Sequence, residues 1–267
     1  MPFFSLSIGG SPGAIVLMEH EGMGIEIRSL AKSYGDLVVF EELSLDLEEG
    51  SVSAILGPSG CGKSTLLNIL SGVVSAEVGT VSGLSGRRIS YLFQEPRLLP
   101  WRTVEGNLDF VLQDSYGKAN REEASVPKRE LTGRLLDLVG LTEFKGYYPD
   151  TLSGGMRQRV AIARAFAFPA EVLLMDEPFQ ALDLSLKVSL MGAFESLWRQ
   201  DRRTVLFVTH DVQEALLLGD AIAVLSARPA CIVGSLRNDI PHGERSLRDG
   251  RLLDLERELY ALLGVAH

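Results

Sequence analysis

Cysteine is scarce: this chain of 267 residues holds only Cys61 and Cys231. A disulfide framework is thereby excluded. The two lie far apart in sequence and Cys61 sits in a glycine-rich loop, so both are expected as reduced thiols in a cytosolic compartment. No apolar run approaches the roughly 20 residues that cross a bilayer, so attachment to a membrane would go through a protein partner. A basic excess is lacking too. With 26 Lys and Arg against 35 Asp and Glu, the net charge of -9 argues against a nucleic-acid partner and against direct adhesion to anionic lipid. There is no internal repeat and no heptad pattern long enough for a coiled coil. What the chain does have is length, enough for one large α/β domain or two small ones.

Pro2 to Leu17 are apolar and small, without the Lys or Arg of a secretory signal. Residues 1–23 therefore read as a disordered or mis-assigned tail. Met18 and Met23 both precede the first folded-looking stretch, so translation is expected to start downstream of Met1, which the intact mass of the native protein would decide.

Ile25 to Leu30 and Leu43 to Leu47 alternate apolar and polar side chains and predict half-buried antiparallel strands. Val52 to Leu56, Val172 to Met175 and Val205 to Val208 are short, largely apolar runs ending in glycine or polar residues. These predict interior parallel strands whose carboxyl ends converge on a ligand. Residues from about Arg97 to Thr151 carry helical spacing and predict a helical subdomain, with a polar insertion around Asp114 to Lys128. From Ser246 to Leu263, Leu252, Leu255, Leu259 and Leu262 share one face and predict an amphipathic helix in a C-terminal extension over residues 231–267.

Gly57-Pro58-Ser59-Gly60-Cys61-Gly62-Lys63-Ser64-Thr65 follows the first apolar run and opens a helix with Leu66, Leu67, Ile69 and Leu70 on its buried face. It contains a complete G-x-x-x-x-G-K-[ST] phosphate loop, in which backbone N–H groups and the helix N-terminus meet the phosphates. Lys63 is expected to reach the β- and γ-phosphates and Ser64 to ligate Mg²⁺. Asp176 closes its strand where it can hold Mg²⁺, and Glu177, placed on the opposite face by strand alternation, suits the base that positions the attacking water. His210 follows the third run, where it could bond to the γ-phosphate or to Glu177. Gln94 ends a further short apolar run at the start of the helical region, placed to sense Mg²⁺ and the water. Tyr34 lies before the loop, where its ring could stack on adenine or fill a turn.

Leu152-Ser153-Gly154-Gly155-Met156-Arg157-Gln158-Arg159 resembles the signature motif of the ATP-binding cassette (ABC) ATPases. With Tyr34, the phosphate loop, Gln94, Asp176-Glu177, Ala181-Leu182-Asp183 and His210, it looks like that family's ordered motif set over about residues 24–230. The resemblance implies an α/β P-loop NTPase fold, an ABC-type nucleotide-binding domain with a mixed β-sheet core, an antiparallel β edge and a helical subdomain. It implies a head-to-tail homodimer in which Ser153, Gly154, Gly155 and Gln158 act on the ATP of the partner and Asp183 communicates across the interface. The implied cofactors are ATP and Mg²⁺.

Gln94 to Val104, with Trp101, is similar to a segment of importers of nitrate, alkanesulfonates and taurine, and Ser226-Ala227-Arg228-Pro229 points the same way. That likeness implies a pair of integral membrane permease subunits, an extracytoplasmic solute-binding protein and a place on the cytoplasmic face of the inner membrane, peripheral through the permease. Trp101 would either receive a permease helix or pack inside the helical subdomain. Gln180 stands where these importers usually carry glycine, and its side chain is expected to restrict the loop before Asp183. A soluble ABC ATPase acting on nucleic acid or ribosomes is the alternative, although tandem cassettes, coiled-coil insertions and basic surfaces are not evident. A non-catalytic regulatory cassette would be expected to lack Glu177 or His210, and both are present.

Overall fold

The apolar runs form the interior of a parallel sheet buried on both faces. The computed structural model describes residues 24–116, 128–180 and 182–264. From the amino end, β1 (Ile25–Tyr34) and β2 (Leu37–Leu47) form a hairpin, and β3 (Val52–Leu56) leads through the phosphate loop into α1 (Lys63–Leu70). Then come β4 (Val78–Ser82), β5 (Ile89–Leu92), α2 (Val104–Tyr116), α3 (Lys128–Leu138) and α4 (Gly154–Ala167). The second half alternates as β6 (Val172–Asp176), α5 (Leu184–Gln200), β7 (Thr204–Thr209), α6 (Val212–Leu218) and β8 (Ala221–Leu225), followed by β9 (Ile232–Arg237) and α7 (Gly250–Leu262).

One sheet runs in the order β5-β6-β7-β3-β8-β9, with β9 antiparallel to β8 and the other pairs parallel. A separate antiparallel sheet has the order β2-β1-β4. The mixed core, antiparallel edge and helical layer expected from the sequence are all present. Every residue of β3, β6 and β7 is buried, which explains why these strands read as continuous apolar runs instead of alternating. Their successive side chains feed two cores. Ile55, Leu174, Leu206 and Val208 pack toward α1 and the antiparallel sheet, whereas Leu56, Leu173, Met175 and Phe207 pack toward the helices. Cutting a side chain such as Leu206 back to alanine would cost ~2–5 kcal/mol.

β1 and β2 run further than their alternating segments predict. Register shifts between Ile27 and Leu30 and between Leu30 and Lys32, with Ser29 at φ +48°, break the side-chain alternation without ending the pairing. In α7, Leu252 and Leu259 are buried and Leu255 and Leu262 are half-buried against the larger core, the stripe that their spacing predicts. Trp101 is 72% exposed, so it does not pack inside the helical layer. The segment from Arg97 to Thr103 is not helical. Its turns are pinned by the buried Asn107 of α2, whose amide oxygen accepts from Leu99 N at 2.8 Å and whose amide nitrogen donates to the carbonyls of Leu99, Arg102 and Thr103. Most of the insertion expected around Asp114 to Lys128 lies outside the described residues, as does the tail from Pro2 to Leu17.

Candidate active site

Parallel register brings four strand ends side by side. Leu56 pairs with Thr209, Val208 with Asp176, and Met175 with Leu92. The residues just beyond these pairs, Gly57 and its loop, His210, Glu177 and Gln94, therefore line one edge of the sheet. This is the carboxyl edge, where open α/β sheets bind ligands.

The phosphate loop depends on its glycines. Gly60 and Gly62 take φ +77° and +124°, and a Cβ at Gly62 would lie 2.5 Å from Val39 Cγ1 and 2.8 Å from Phe40 Cε1. Only a residue without a side chain lets the loop close against β2 and hand over to α1. Cys61 is buried among apolar neighbours, and burial pushes its thiol pKa up, which keeps it protonated and a poor nucleophile. Pro58, Ser59, Gly60 and Ser64 are exposed along the loop, with Thr65 half-buried behind them.

Lys63 is buried and arches over the loop, its Nζ donating to Gly57 O at 2.8 Å and Pro58 O at 3.1 Å. The same ammonium lies 3.9 Å from Glu177 Oε1. Glu177 Oε2 in turn meets His210 Nδ1 at 2.9 Å. Strand alternation does not hold here. β6 ends at Asp176, and Glu177 turns through φ +46° while its N–H stays bonded to Val208 O at 3.0 Å. Both carboxylates consequently face the Lys63 charge instead of opposite sides of the strand. A non-glycine residue in the left-handed region stores strain of about 1–3 kcal/mol, borne here at the reacting centre. Burial raises the Asp176 pKa above its ordinary value; the Ser64 hydroxyl that donates to it and the Lys63 ammonium pull the other way, while Glu177 adds to the rise. A buried carboxylate beside a second carboxylate is a group that gains from a cation.

Gln94 follows β5 and is exposed; its Nε2 donates to Gln180 Oε1 at 2.6 Å. Tyr34 ends β1 and is 48% exposed, with Lys32 Nζ 5.0 Å from its ring centre. Ser153 caps α4, its hydroxyl accepting from Met156 N at 3.2 Å, and both Ser153 and Gly154 are exposed. Gly155 lies against α5, where a Cβ would come within 2.6 Å of Leu186 Cδ2. Gln158 points inward instead of outward. It is buried, and its amide donates to Pro178 O at 2.8 Å, tying α4 to the turn that carries Glu177. Asp183 is the exposed cap of α5 and accepts from Leu186 N at 2.9 Å. Ser153 to Gly155 thus belong to the amino end of a separate helix, while the other predicted residues apart from Tyr34 and Asp183 gather on or beside the four strand ends.

The ABC transporter family profile matches residues 40–180, more than half of the chain. The chain belongs to the ABC transporter family. An aliphatic sulfonates import ATP-binding protein of Pseudomonas syringae pv. tomato is 39% identical over 227 residues, spanning 85% of this chain and 91% of that protein. One from Agrobacterium fabrum is 42% identical over 204 residues, 76% of this chain and 71% of that protein. Among solved structures, a dimeric ATP-binding cassette in a post-hydrolysis state with ADP and Pi superimposes with a TM-score of 0.69 at 29% identity, covering 80% of this chain and 98% of that one. As an ABC transporter ATP-binding cassette, the protein is an ATPase coupled to transport that works as a dimer with membrane permease partners. Among its described residues no helix is long and apolar enough to cross a membrane.

Two groups in this cassette escape sequence reasoning. Lys187, in the first turn of α5, places Nζ 2.5 Å from both Asp211 Oδ2 and Glu214 Oε1. Glu214 is buried and also accepts from the Thr209 hydroxyl at 2.5 Å, so the ion cluster ties the start of α5 to the residues flanking His210. Burial opposes the Lys187 charge, but Asp211 and Glu214 outweigh it and hold its pKa above the ordinary value. The Asp211-x-x-Glu214 spacing signals a helix start, and Asp211 does cap α6; nothing local signals its partner on α5. Arg164 of α4 is the second. It donates to Pro96 O and Arg97 O, both at 2.9 Å, and so grips the segment that follows Gln94.

Proposed function

We propose that the cassette hydrolyses ATP at this sheet edge to energise import of a small oxyanionic or sulfonated solute. The observation that carries the reading is the chain of contacts from Lys63 through Glu177 to His210 beside the phosphate loop. In this reading Tyr34 stacks on the adenine, the loop from Gly57 to Thr65 wraps the phosphates, and Lys63 swings from the loop carbonyls to the β- and γ-phosphate oxygens. Asp176, Ser64 and the Gln94 amide oxygen form an all-oxygen donor set of the kind Mg²⁺ takes, and the buried, charge-crowded Asp176 carboxylate fits a divalent cation. Mg²⁺ held there supplies neutralisation of the phosphate charge. Glu177 receives the proton of the attacking water, and His210 holds Glu177 by its 2.9 Å bond so that the free carboxylate oxygen faces the water.

Ser153, Gly154 and Gly155, exposed or half-buried at the amino end of α4, meet the γ-phosphate held by the second copy, so hydrolysis follows dimer closure. Asp183 lies beside that interface. Gln158 acts within its own subunit, as a strut under the Glu177 turn. The names of the sulfonate-import relatives support the solute class and, with it, a position on the cytoplasmic face of the inner membrane and an extracytoplasmic solute-binding protein that delivers cargo to the permease. The test is Glu177→Gln: this variant binds ATP and dimerises yet loses at least about 100-fold in ATPase rate, the scale of a general-base contribution. Hydrolysis at the parent rate would remove Glu177 from the mechanism. Stimulation of the reconstituted transporter by aliphatic sulfonates, and not by unrelated solutes, tests the cargo.

A further inference from the structure

Gln94 and Gln180 are 86 residues apart and belong to neighbouring strand ends, β5 and β6, yet their side-chain amides form a 2.6 Å hydrogen bond. Both backbones are anchored independently of that bond. On one side the turn Glu177–Gln180 is fixed by Glu177 N to Val208 O at 3.0 Å, by Gln180 N to Glu177 O at 3.2 Å and by the buried Gln158 amide on Pro178 O. Phe179, fully buried, locks the same turn edge-on against Phe194 at 6.4 Å. On the other side Phe93 stacks on Tyr91 at 4.1 Å, Arg97 covers the Phe93 ring at 3.8 Å, and Arg164 holds the carbonyls of Pro96 and Arg97. The amide pair therefore joins two fixed pieces and is not a chance contact between mobile tips.

The direction of the bond matters. A carboxamide has one atom that can ligate a cation, its oxygen, and a terminal amide turning freely would present its NH₂ group as readily. Because Gln94 spends Nε2 on Gln180 Oε1, its own oxygen is left unspent. We propose that Gln180 is a positioning residue for Gln94, holding its carboxamide in the one orientation that offers oxygen to the cation at Asp176 and Ser64. This rests on the reading of Gln94 as a cation-sensing residue. An ordinary hydrogen bond biases such an orientation by roughly 2- to 10-fold.

The test titrates Mn²⁺, as a spectroscopic stand-in for Mg²⁺, into the full chain with a non-hydrolysable ATP analogue and follows bound metal by electron paramagnetic resonance. Gln180→Ala and the isosteric Gln180→Met are expected to weaken Mn²⁺ binding about 2- to 10-fold at unchanged unfolding temperature. Gln180→Glu, which can only accept, retains at least the parent affinity. In a Gln94→Ala background the Gln180 substitutions add nothing. If Gln94→Ala weakens Mn²⁺ while Gln180→Ala and Gln180→Met do not, or if the two sites act additively, the positioning role is refuted and the reading of Gln94 stands. A fall in affinity with Gln180→Glu likewise refutes it. If Gln94→Ala leaves Mn²⁺ affinity unchanged, the reading of Gln94 fails first and the inference fails with it.

Discussion

Replacing Lys187 with methionine would strand two carboxylates against each other beside His210. Lys187 is 18% exposed and Glu214 only 4%, so neither the removed charge nor the abandoned one is bathed in water. Breaking a fully buried pair costs ~3–5 kcal/mol. Asp211 is 31% exposed, which lowers the expectation for Lys187→Met to about 2–4 kcal/mol. In a domain of this size that is a fall in melting temperature of roughly 5–15 °C.

The pH dependence is the sharper signature. Burial already raises the Glu214 pKa, and Lys187 and Thr209 counter it. Without Lys187 the folded pKa climbs further above the unfolded one, so the charged form penalises the fold at high pH and the penalty fades as pH falls and Glu214 takes up a proton. Scanning calorimetry of Lys187→Met should therefore show a larger deficit at pH 8 than at pH 6, with Lys187→Arg close to the parent at both. ATPase activity should fall as well, since Asp211 adjoins His210. A melting temperature within about 2 °C of the parent, or a deficit equal at the two pH values, would refute the argument that this cluster is a desolvated ion network.

Lys63→Ala should lose nucleotide binding by at least about tenfold in equilibrium dialysis, because the only ammonium inside the loop disappears. Gln158→Leu should destabilise by about 1–3 kcal/mol in urea unfolding, since Pro178 O loses its buried donor, and should slow hydrolysis by loosening the turn under Glu177. Asp220 accepts from His242 and Arg245 side chains and from Val52 N, contacts that overcome the effect of its burial and hold its pKa down to about 2. Its folded value lies below the unfolded one, so its contribution of about 2 kcal/mol is present at neutral pH and fades as pH drops from 4 toward 2. Asp220→Asn should flatten acid unfolding across that window, measured by circular dichroism.

The phosphate loop was legible because its chemistry demands fixed residue types at fixed spacing, and β3, β6 and β7 because burial on both faces leaves an unbroken apolar run. Gln94, Glu177 and His210 could be assigned to strand ends, but which ends adjoin depends on strand order, and no local pattern encodes that β6 lies between β5 and β7. Alternation misplaced Glu177 because the rule applies only while the chain remains a strand, and here the backbone turns left-handed one residue past β6. The resemblance groups Gln158 with Ser153, Gly154 and Gly155 on the partner's ATP, whereas Gln158 lies more than a helical turn beyond Ser153 and faces the core. The amide pair of Gln94 and Gln180, like the Lys187 cluster, joins residues through space and leaves no trace in sequence order.

The grip of Arg164 on the carbonyls of Pro96 and Arg97 gives α4 a mechanical character. Ser153 sits at one end of that helix and Arg164 eleven residues along it, about 16 Å away at the helical rise. The segment that leads to the exposed Trp101 and the capping Ser153 are thus fastened toward opposite ends of one continuous helix.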